Sequence, residues 1–292
     1  MDAQVSSVDV IIPTYKPDKT FISLVKKLAE QHDKPNKIIV INTDKEYLDE
    51  DKYKDLFENI EFHHIEKESF NHGLTRNEGT KYSDARYILF MTQDAVPADN
   101  YLITELLRPF KNDSGVKLSY ARQLPKKHCN YVERYTRCFN YPVEDIVKTK
   151  DSLKSMGIKA IFCSDVCAMY DREYFLENGG FEKTDFNEDQ LFAYKLLMNG
   201  DTLYYASAAR VFHSHNYSYI QQYKRNFQIG RTQKERAEIY DSISSESEGI
   251  KMVKAALSHM IRHNRWYMIP DLILCSGFKF IGFKMGQLSY RK

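Results

Sequence analysis

Tyr87-Ile88-Leu89-Phe90-Met91-Thr92-Gln93-Asp94-Ala95-Val96-Pro97 is an apolar run that halts at a polar triplet. Its β-branched and aromatic members read as a buried strand, and Pro97, which has no amide N–H, prevents the ladder from continuing. Asp94 therefore stands at the C-terminal end of a strand. In open α/β sheets ligands bind at that edge, because its loops vary while the strands hold them rigidly. An Asp in this place serves equally well as a turn or capping residue or as a ligand-binding carboxylate. The neighbours must decide.

Upstream, Val8-Asp9-Val10-Ile11-Ile12 predicts a strand ending in Pro13-Thr14-Tyr15, followed by a helix from Thr20 to Gln31 with Phe21, Leu24, Val25 and Leu28 on one face. Lys37 to Ile41 is a second buried strand that ends in Asn42-Thr43-Asp44, and Glu61 to Ile65 is a third. The loop Phe70-Asn71-His72-Gly73 leads into a helix from about Thr75 to Tyr82, and another helix runs from Asp99 to Phe110. Strands alternating with helices predict a mostly parallel sheet covered on both faces. Right-handed crossovers then bring Thr14, Asn42, Asp44 and Asp94 to one edge. No GxGxxG or GxxxxGK[ST] phosphate loop is present, so phosphates are met by other means, such as a metal ion and cationic side chains.

Beyond this half, Lys126 to Met156 reads as an excursion over the site, and Ile158 to Tyr170 returns to strand character around Cys163-Ser164-Asp165. Gly179 and Gly180 mark a turn. Asn187-Glu188-Asp189 opens a helix that reaches about Asn199, and acidic residues there fit either helix capping or chemistry. Leu203 to Tyr205 and Arg210 to Phe212 read as two short strands, the second ending in His213-Ser214-His215. An extended chain would send those two rings to opposite faces, so only one would point into a given site. A helix from Ser218 to Ile239 follows, then a Ser-rich linker and two C-terminal helical segments, the first with Ile250, Val253, Leu257, Met260 and Ile261 on one face.

The 292 residues carry 42 Lys and Arg against 40 Asp and Glu, so the net charge of +2 gives no reason to expect nucleic acid. Five cysteines show no finger-like pairing, which fits a reducing cytoplasm, and Cys163 and Cys167, without a second Cys or His pair close after them, read as buried small hydrophobes instead of half a metal site. The first nine residues show no signal-peptide pattern, and no run reaches the roughly 18 apolar residues of a membrane span. The last segment mixes Ile269-Pro270-Asp271-Leu272-Ile273 and Phe278-Lys279-Phe280-Ile281 with Lys284, Arg291 and Lys292, as an interfacial helix, or a helix packed on the catalytic domain or on a second subunit, would.

Taken in order, Ile-Ile-Pro-Thr-Tyr (11–15), Phe-Asn-His-Gly-Leu-Thr-Arg-Asn-Glu-Gly (70–79), Met-Thr-Gln-Asp-Ala-Val-Pro (91–97), Gly-Gly-Phe-Glu (179–182) and Asn-Glu-Asp (187–189) resemble the family 2 glycosyltransferases of the GT-A fold. The rhamnosyltransferase-like bacterial branch is the nearest in pattern, and the resemblance covers about Val8 to Arg231. It implies an α/β GT-A nucleotide-binding domain over residues 1–240 and a helical extension over 241–292 that associates with a membrane or oligomerises. Pro13, Thr14, Tyr15, Asn42 and Asp44 would hold the nucleoside, while Arg76, Gln93 and Arg225 would meet the nucleotide or its phosphates. Asp94, with His213 and His215, would ligate a divalent cation, Mg²⁺ or Mn²⁺. Asp189 would be the general base beside Glu188, and Asp165 would lie on the acceptor side.

The implied activity is inverting, metal-dependent transfer of a sugar, L-rhamnose from dTDP-rhamnose, onto a lipid-linked glycan precursor at the inner face of the cell membrane. A UDP-hexose or UDP-N-acetylhexosamine donor is the alternative, and a non-catalytic sugar-binding module a further one. A homodimer is also compatible with the C-terminal segment. The chain departs from the family pattern in three places: Asn42 stands where a carboxylate is usual, only the second Asp of Asp-x-Asp is kept in Thr92-Gln93-Asp94, and Asn226 replaces the Trp of Gln-x-x-Arg-Trp.

Overall fold

Runs of aliphatic residues without alternation belong to strands covered on both faces, and Val10, Ile11 and Ile12 are all fully buried in the computed structural model, which describes residues 7–243 and 246–290. β1 (Val8–Tyr15), β2 (Lys37–Thr43), β3 (Ile60–Ile65) and β4 (Tyr87–Met91) pair in parallel in the order β3-β2-β1-β4. The crossovers carry α1 (Lys19–Ala29), α2 (Asp51–Lys54) and α3 (His72–Thr80), and α4 (Leu102–Asn112) follows β4. Asp18 caps α1 through a hydrogen bond from the Thr20 amide, and the expected face of Phe21, Leu24, Val25 and Leu28 is fully buried.

Past β4 the sheet becomes mixed. β5 (Val96–Pro97), β6 (Val116–Leu124), β7 (Ile146–Lys148), β8 (Cys167–Asp171) and β9 (Thr202–Phe212) extend it in the order β4-β8-β6-β9-β5, with β7 also on β9. β8 runs antiparallel to both β4 and β6, whereas β6 and β9 are parallel. Two expectations fail here. The segment Cys163–Val166 is a loop, because the Val166 amide bonds the Ser164 hydroxyl and the Cys167 amide bonds the Ser164 carbonyl, so the strand begins at Cys167. The two short strands of residues 203–212 are one, with a bulge against β6 where the Ser207 amide and hydroxyl bind Asp145 instead of a neighbouring strand.

The remaining helices are α5 (Tyr131–Asn140), α6 (Ser152–Met156), α7 (Ile158–Ile161), α8 (Arg172–Glu177), α9 (Glu188–Met198), α10 (Tyr219–Glu235), α11 (Ala237–Tyr240), α12 (Glu246–Arg262) and α13 (Ile269–Ser289). One core lies between the sheet and α1 and α4; the other lies beneath α8 and α9. In the second, Phe90, Phe175, Phe181 and Phe192 meet edge to face or tilted, with Phe175 and Phe181 4.9 Å apart. Cys163 and Cys167 are buried free thiols, in line with their reading as small hydrophobes.

α12 corrects its expected buried face. Met260 is buried, but its partner is Ala256, and Ile250, Leu257 and Ile261 are exposed. The small alanine lets α12 settle close on α5 and α13, which turns the bulky isoleucines outward. α13 packs along α10 in the same direction, with Gly282 against the Tyr223 carbonyl and Gly286 against the Phe227 carbonyl. Gly230 of α10 meets the Phe283 carbonyl in the same way. Arg291 and Lys292, expected in the interfacial segment, lie outside the described residues.

A Cβ at Gly286 would fall 2.0 Å from the Phe227 oxygen, so the two helices must separate to admit it. Gly286→Ala is expected to lower unfolding stability by about 1–3 kcal/mol in a denaturant titration. Gly277→Ala, on the same helix with no atom within 4 Å of the added Cβ, is expected to raise it by roughly 0.5–1 kcal/mol through backbone entropy alone. Equal behaviour of the two variants would show that the backbone contact with α10 carries no stability.

Candidate active site

The site forms where strands end. β4 stops at Met91 opposite Cys167, the first residue of β8, and the Thr92 amide bonds the Val166 carbonyl at 3.1 Å. That antiparallel pairing sets the loop 163–166 beside Thr92-Gln93-Asp94. Val96 pairs with Phe212, the last residue of β9, while the His213 amide bonds the Leu124 carbonyl at the end of β6. His213 is thereby delivered to Asp94.

Asp94 Oδ1 lies 3.4 Å from His213 Nε2, and its Oδ2 lies 3.4 Å from His215 Nε2 and 3.2 Å from Lys126 Nζ. Both rings point into one place, with their Nε2 atoms 3.0 Å apart. The expected opposition of the two rings fails because β9 ends at Phe212 and the chain turns after it. The tautomer of His213 follows from its neighbours. Arg137 only donates, so the Gln123 oxygen that accepts from it is fixed as Oε1, and the same atom accepts from His213 Nδ1 at 2.9 Å. His213 therefore keeps Nδ1 for Gln123 and turns Nε2 toward the Asp94 carboxylate. Burial opposes the Asp94 charge, yet His213, Lys126 and His215 outweigh it and hold the carboxyl well below its usual range. Burial lowers both imidazoles, that of His215 to about 4, with His213 adding to the effect. Two neutral imidazoles and a carboxylate, with ligand atoms all within 4.8 Å of one another, could hold a divalent cation, and the hydrogen bond from Nδ1 is the usual support for such a ligand.

The carboxylates of α9 face this cluster across the cleft. Asn71 caps α3 by accepting from the Leu74 amide, and Gly73 and Gly79 let the helix lie directly on its neighbours. A Cβ on Gly79 would strike Ile11, and one on Gly73 would strike Phe181. Asn77 clasps the backbone of Phe181 with both ends of its amide. Thus seated, α3 buries Arg76 to 4% exposure, where its Nη1 donates to Glu188 Oε1 at 3.0 Å and its Nε lies 3.7 Å from Asp165 Oδ2. Arg76 is an interior ion pair, neither a surface one nor free. Asp165 is 3% exposed and also accepts from the Tyr170 hydroxyl, and burial pushes its carboxyl up to about 7 against the pull of Arg76. Asp189 accepts from the Gln190 amide, and burial together with Glu188 and Asp165 raises its carboxyl well above the ordinary value. Asn187 precedes them in a left-handed conformation (φ 65°), and its side chain accepts no capping hydrogen bond, so simple capping does not explain the acidic residues that follow it.

A cleft of about 520 Å³ joins the two groups and is lined by Asp94, His213, His215, Asp165, Glu188, Asp189, Arg76 and Arg225. Sequence reasoning missed Gln123, Lys126, Arg137 and Lys279, whose roles arise from pairing between distant segments and leave no local signal. Thr14, Tyr15, Asn42 and Asp44 gather at the ends of β1 and β2 but do not line that cleft. Asn42 is fully buried, accepting from Thr14 Oγ1 and donating to the Asp44 carbonyl, so it orders the loop that presents Asp44. Gln93 bonds both the amide and the carbonyl of Tyr15, as a strand would. Pro13 pairs in register with Ile41. Tyr15 is left exposed, edge-on to Tyr47, with Lys16 over both rings.

A family model described as glycosyl transferase family 2 matches residues 9–179. The O-antigen chain rhamnosyltransferase RfbN of Salmonella typhimurium is 34% identical over 283 residues, covering 96% of this chain and 89% of that protein. The O-antigen chain rhamnosyltransferase WbaN of Salmonella anatum is 31% identical over 285 residues, with the same coverage of 96% and 89%. Among solved structures, the mannosyltransferase PcManGT from Pyrobaculum calidifontis, in complex with GDP-Man and Mn²⁺, superposes with a TM-score of 0.61 at 13% identity, covering 98% of this chain and 88% of that one. S. aureus TarS 1–349 in complex with UDP-GlcNAc gives 0.57 at 16% identity, covering 98% and 91%. These likenesses show the fold, which is the GT-A fold expected from the sequence.

The Asp165 carboxyl provides a pH test. Its folded value of about 7 exceeds the roughly 3.9 of an unfolded Asp, so the folded chain keeps a proton that the unfolded chain releases. Its contribution is full below pH 4 and is lost as pH rises through 7. Relative to wild type, Asp165→Asn is expected to gain on the order of 2 kcal/mol between pH 5 and pH 8 in paired denaturant titrations. A difference that stays flat across that window would show Asp165 ionised throughout.

Proposed function

The chain belongs to glycosyl transferase family 2 and is a glycosyltransferase, and we propose that it is an inverting, metal-dependent rhamnosyltransferase acting on a cell-surface or capsular polysaccharide precursor. One observation carries this reading: a single cleft holds the Asp94, His213 and His215 donor set on one side and the Asp165, Glu188 and Asp189 carboxylates on the other. A bound divalent cation would supply charge neutralisation to the leaving diphosphate. Asp94 and the two imidazoles would hold it, and nitrogen donors favour Mn²⁺ over Mg²⁺, which demands oxygen. Arg225, stacked over Phe186 and Tyr217, stands ready for phosphate. Tyr15 and Asp44 offer a ring face and a carboxylate to the nucleoside, steadied by Thr14, Asn42 and Gln93.

Asp189 takes the proton from the acceptor hydroxyl as that oxygen attacks the anomeric carbon. Its raised basicity suits a base that works near neutral pH. Glu188 and Asp165 keep Arg76 in place, and Arg76 keeps their charges from repelling one another out of the cleft. The similarity to two rhamnosyltransferases supports rhamnose as the sugar, and dTDP as its carrier is part of the proposal. A thermal-shift panel of dTDP, UDP and GDP with Mn²⁺, followed by transfer assays with the matching sugar nucleotides, tests the donor, since a ligand of the folded state raises its melting temperature. Stabilisation by UDP alone would replace rhamnose with a UDP-hexose or UDP-N-acetylhexosamine.

Residues 241–292 form the second part of the proposal, docking the catalytic domain of residues 1–240 on an anionic membrane surface. Among the described residues no helix is long and apolar enough to cross a bilayer. The elbow between α12 and α13 exposes Trp266 and Tyr267 beside Arg262, His263 and Arg265, and α13 exposes Ile273, Leu274, Phe280, Ile281 and Leu288 along one stripe. Aromatic rings and cations bordering an apolar stripe fit the headgroup region.

The roles of the two acids separate in measurement. Asp189→Asn keeps the side-chain shape, so turnover is expected to fall about a hundredfold or more while dTDP affinity stays near wild type. Asp94→Ala is expected to abolish the Mn²⁺-dependent part of dTDP binding in calorimetry. Near-normal turnover in the first variant would move the base to Glu188, and unchanged affinity in the second would remove Asp94 from the metal site. For the membrane surface, Leu274→Glu with Ile281→Glu is expected to cut co-sedimentation with phosphatidylglycerol vesicles about tenfold, as two charges enter the apolar face. Undiminished sedimentation, or loss of a dimer instead of vesicle binding, would give the stripe to a second copy of the chain.

A further inference from the structure

The cations of the cleft are unequally used. Arg76 is taken by Glu188 and Asp165, and Arg137 by Glu133 and the Gln123 oxygen. Lys126, the cation nearest the Asp94 cluster, is paired with Asp94 itself. Arg225 and Lys279 are left, and among the described residues neither has a carboxylate within ion-pair distance. Arg225 comes from α10, whereas Lys279 comes from α13, far beyond the span of the family resemblance.

Lys279 is held where it is by backbone. The ring of Phe278 stacks on Tyr219 at 5.6 Å, the Asp271 carboxylate accepts from the Tyr219 hydroxyl, and Gly282 rests on the Tyr223 carbonyl. These contacts bracket Lys279 and set it level with Gln222 and Asn226, which line the cleft with it. One turn before it lies the Cys275 thiol, whose ordinary value burial raises and Lys279 lowers. Lys279 is a partly buried residue on the cleft wall, and a cation there without a carboxylate partner is poorly compensated until an anion arrives.

We propose that Lys279 is a substrate-binding residue that, with Arg225, takes a phosphate group, so that the C-terminal helix is part of the active site as well as its outer wall. The inference rests on the glycosyltransferase reading above, because only a phosphate-bearing substrate gives the pair its counterion. Two substrates of that reaction can supply the phosphate: the diphosphate of the donor, and a phosphate of the acceptor. A compact ammonium on a flexible stem suits either, acting as a point charge without bidentate geometry.

Calorimetry on the full chain separates the cases. Wild type, Lys279→Ala and Lys279→Arg are titrated with dTDP in the presence of Mn²⁺, and the dTDP-saturated proteins are then titrated with inorganic pyrophosphate. Loss of one charge-assisted contact is expected to weaken one of the two binding events about tenfold or more in Lys279→Ala, with Lys279→Arg restoring most of it. Weakened dTDP binding identifies the donor diphosphate, and weakened pyrophosphate binding alone identifies the acceptor side. Wild-type affinity for both ligands in Lys279→Ala, or the same loss in Lys279→Arg as in Lys279→Ala, overturns the assignment. Absence of dTDP binding in wild type would instead overturn the reading of dTDP as the carrier, a result legible before any Lys279 variant is compared.

Discussion

The buried guanidinium of Arg76 is the interaction on which the cleft depends. Three carboxyl groups, those of Asp165, Glu188 and Asp189, come from two separate segments and converge at the ends of the sheet, where they repel one another and resist burial. One cation bonded to Glu188 and facing Asp165 makes their gathering tolerable. Removing one partner of such a buried set leaves an uncompensated charge, which in general costs about 3–5 kcal/mol. The glycines of α3 serve this contact. They bring the helix backbone against Ile11 and Phe181, and only from that depth does Arg76 reach inward.

Across the cleft, the same physical variables give the opposite result. Asp94 is also substantially buried, but two imidazoles and Lys126 surround it, and its carboxyl is held ionised. Asp189 has burial and like charge acting together, and its carboxyl is raised. Acids with values driven apart within one cleft are suited to separate duties, one to hold a cation and one to hold a proton. Arg137 and Gln123 extend the division of labour, since together they set which nitrogen of His213 carries hydrogen.

The C-terminal helices join this cleft to the outer surface. Glycine contacts between α10 and α13 replace the side-chain layer usual between helices with direct backbone contact. Such contact fixes register, and register is what places Lys279 at the cleft and the apolar stripe of α13 away from it. The segment that looked like an appendage is continuous with the wall of the site.

Much of this was legible in the chain itself. Apolar runs without alternation gave away the parallel strands of the first half, polar residues after each run located their shared edge, and the spacing of five short segments indicated the family. Those signals are local, carried by side-chain period and by backbone constraints that each residue imposes on its neighbours. The strand expected around Cys163-Ser164-Asp165 and the face expected on α12 went wrong because period reports which residues prefer burial, not which partner covers them. Only the tertiary structure decided that β8 turns back against β4 and sets the loop carrying Asp165 beside Thr92, that both histidines after β9 share one place, that Lys126 pairs with Asp94, and that Gln123, Arg137 and Lys279 belong to the cleft at all. Each of these depends on pairing between segments far apart in sequence, and the free energy of that pairing is a property of the surfaces brought together, which no single stretch contains.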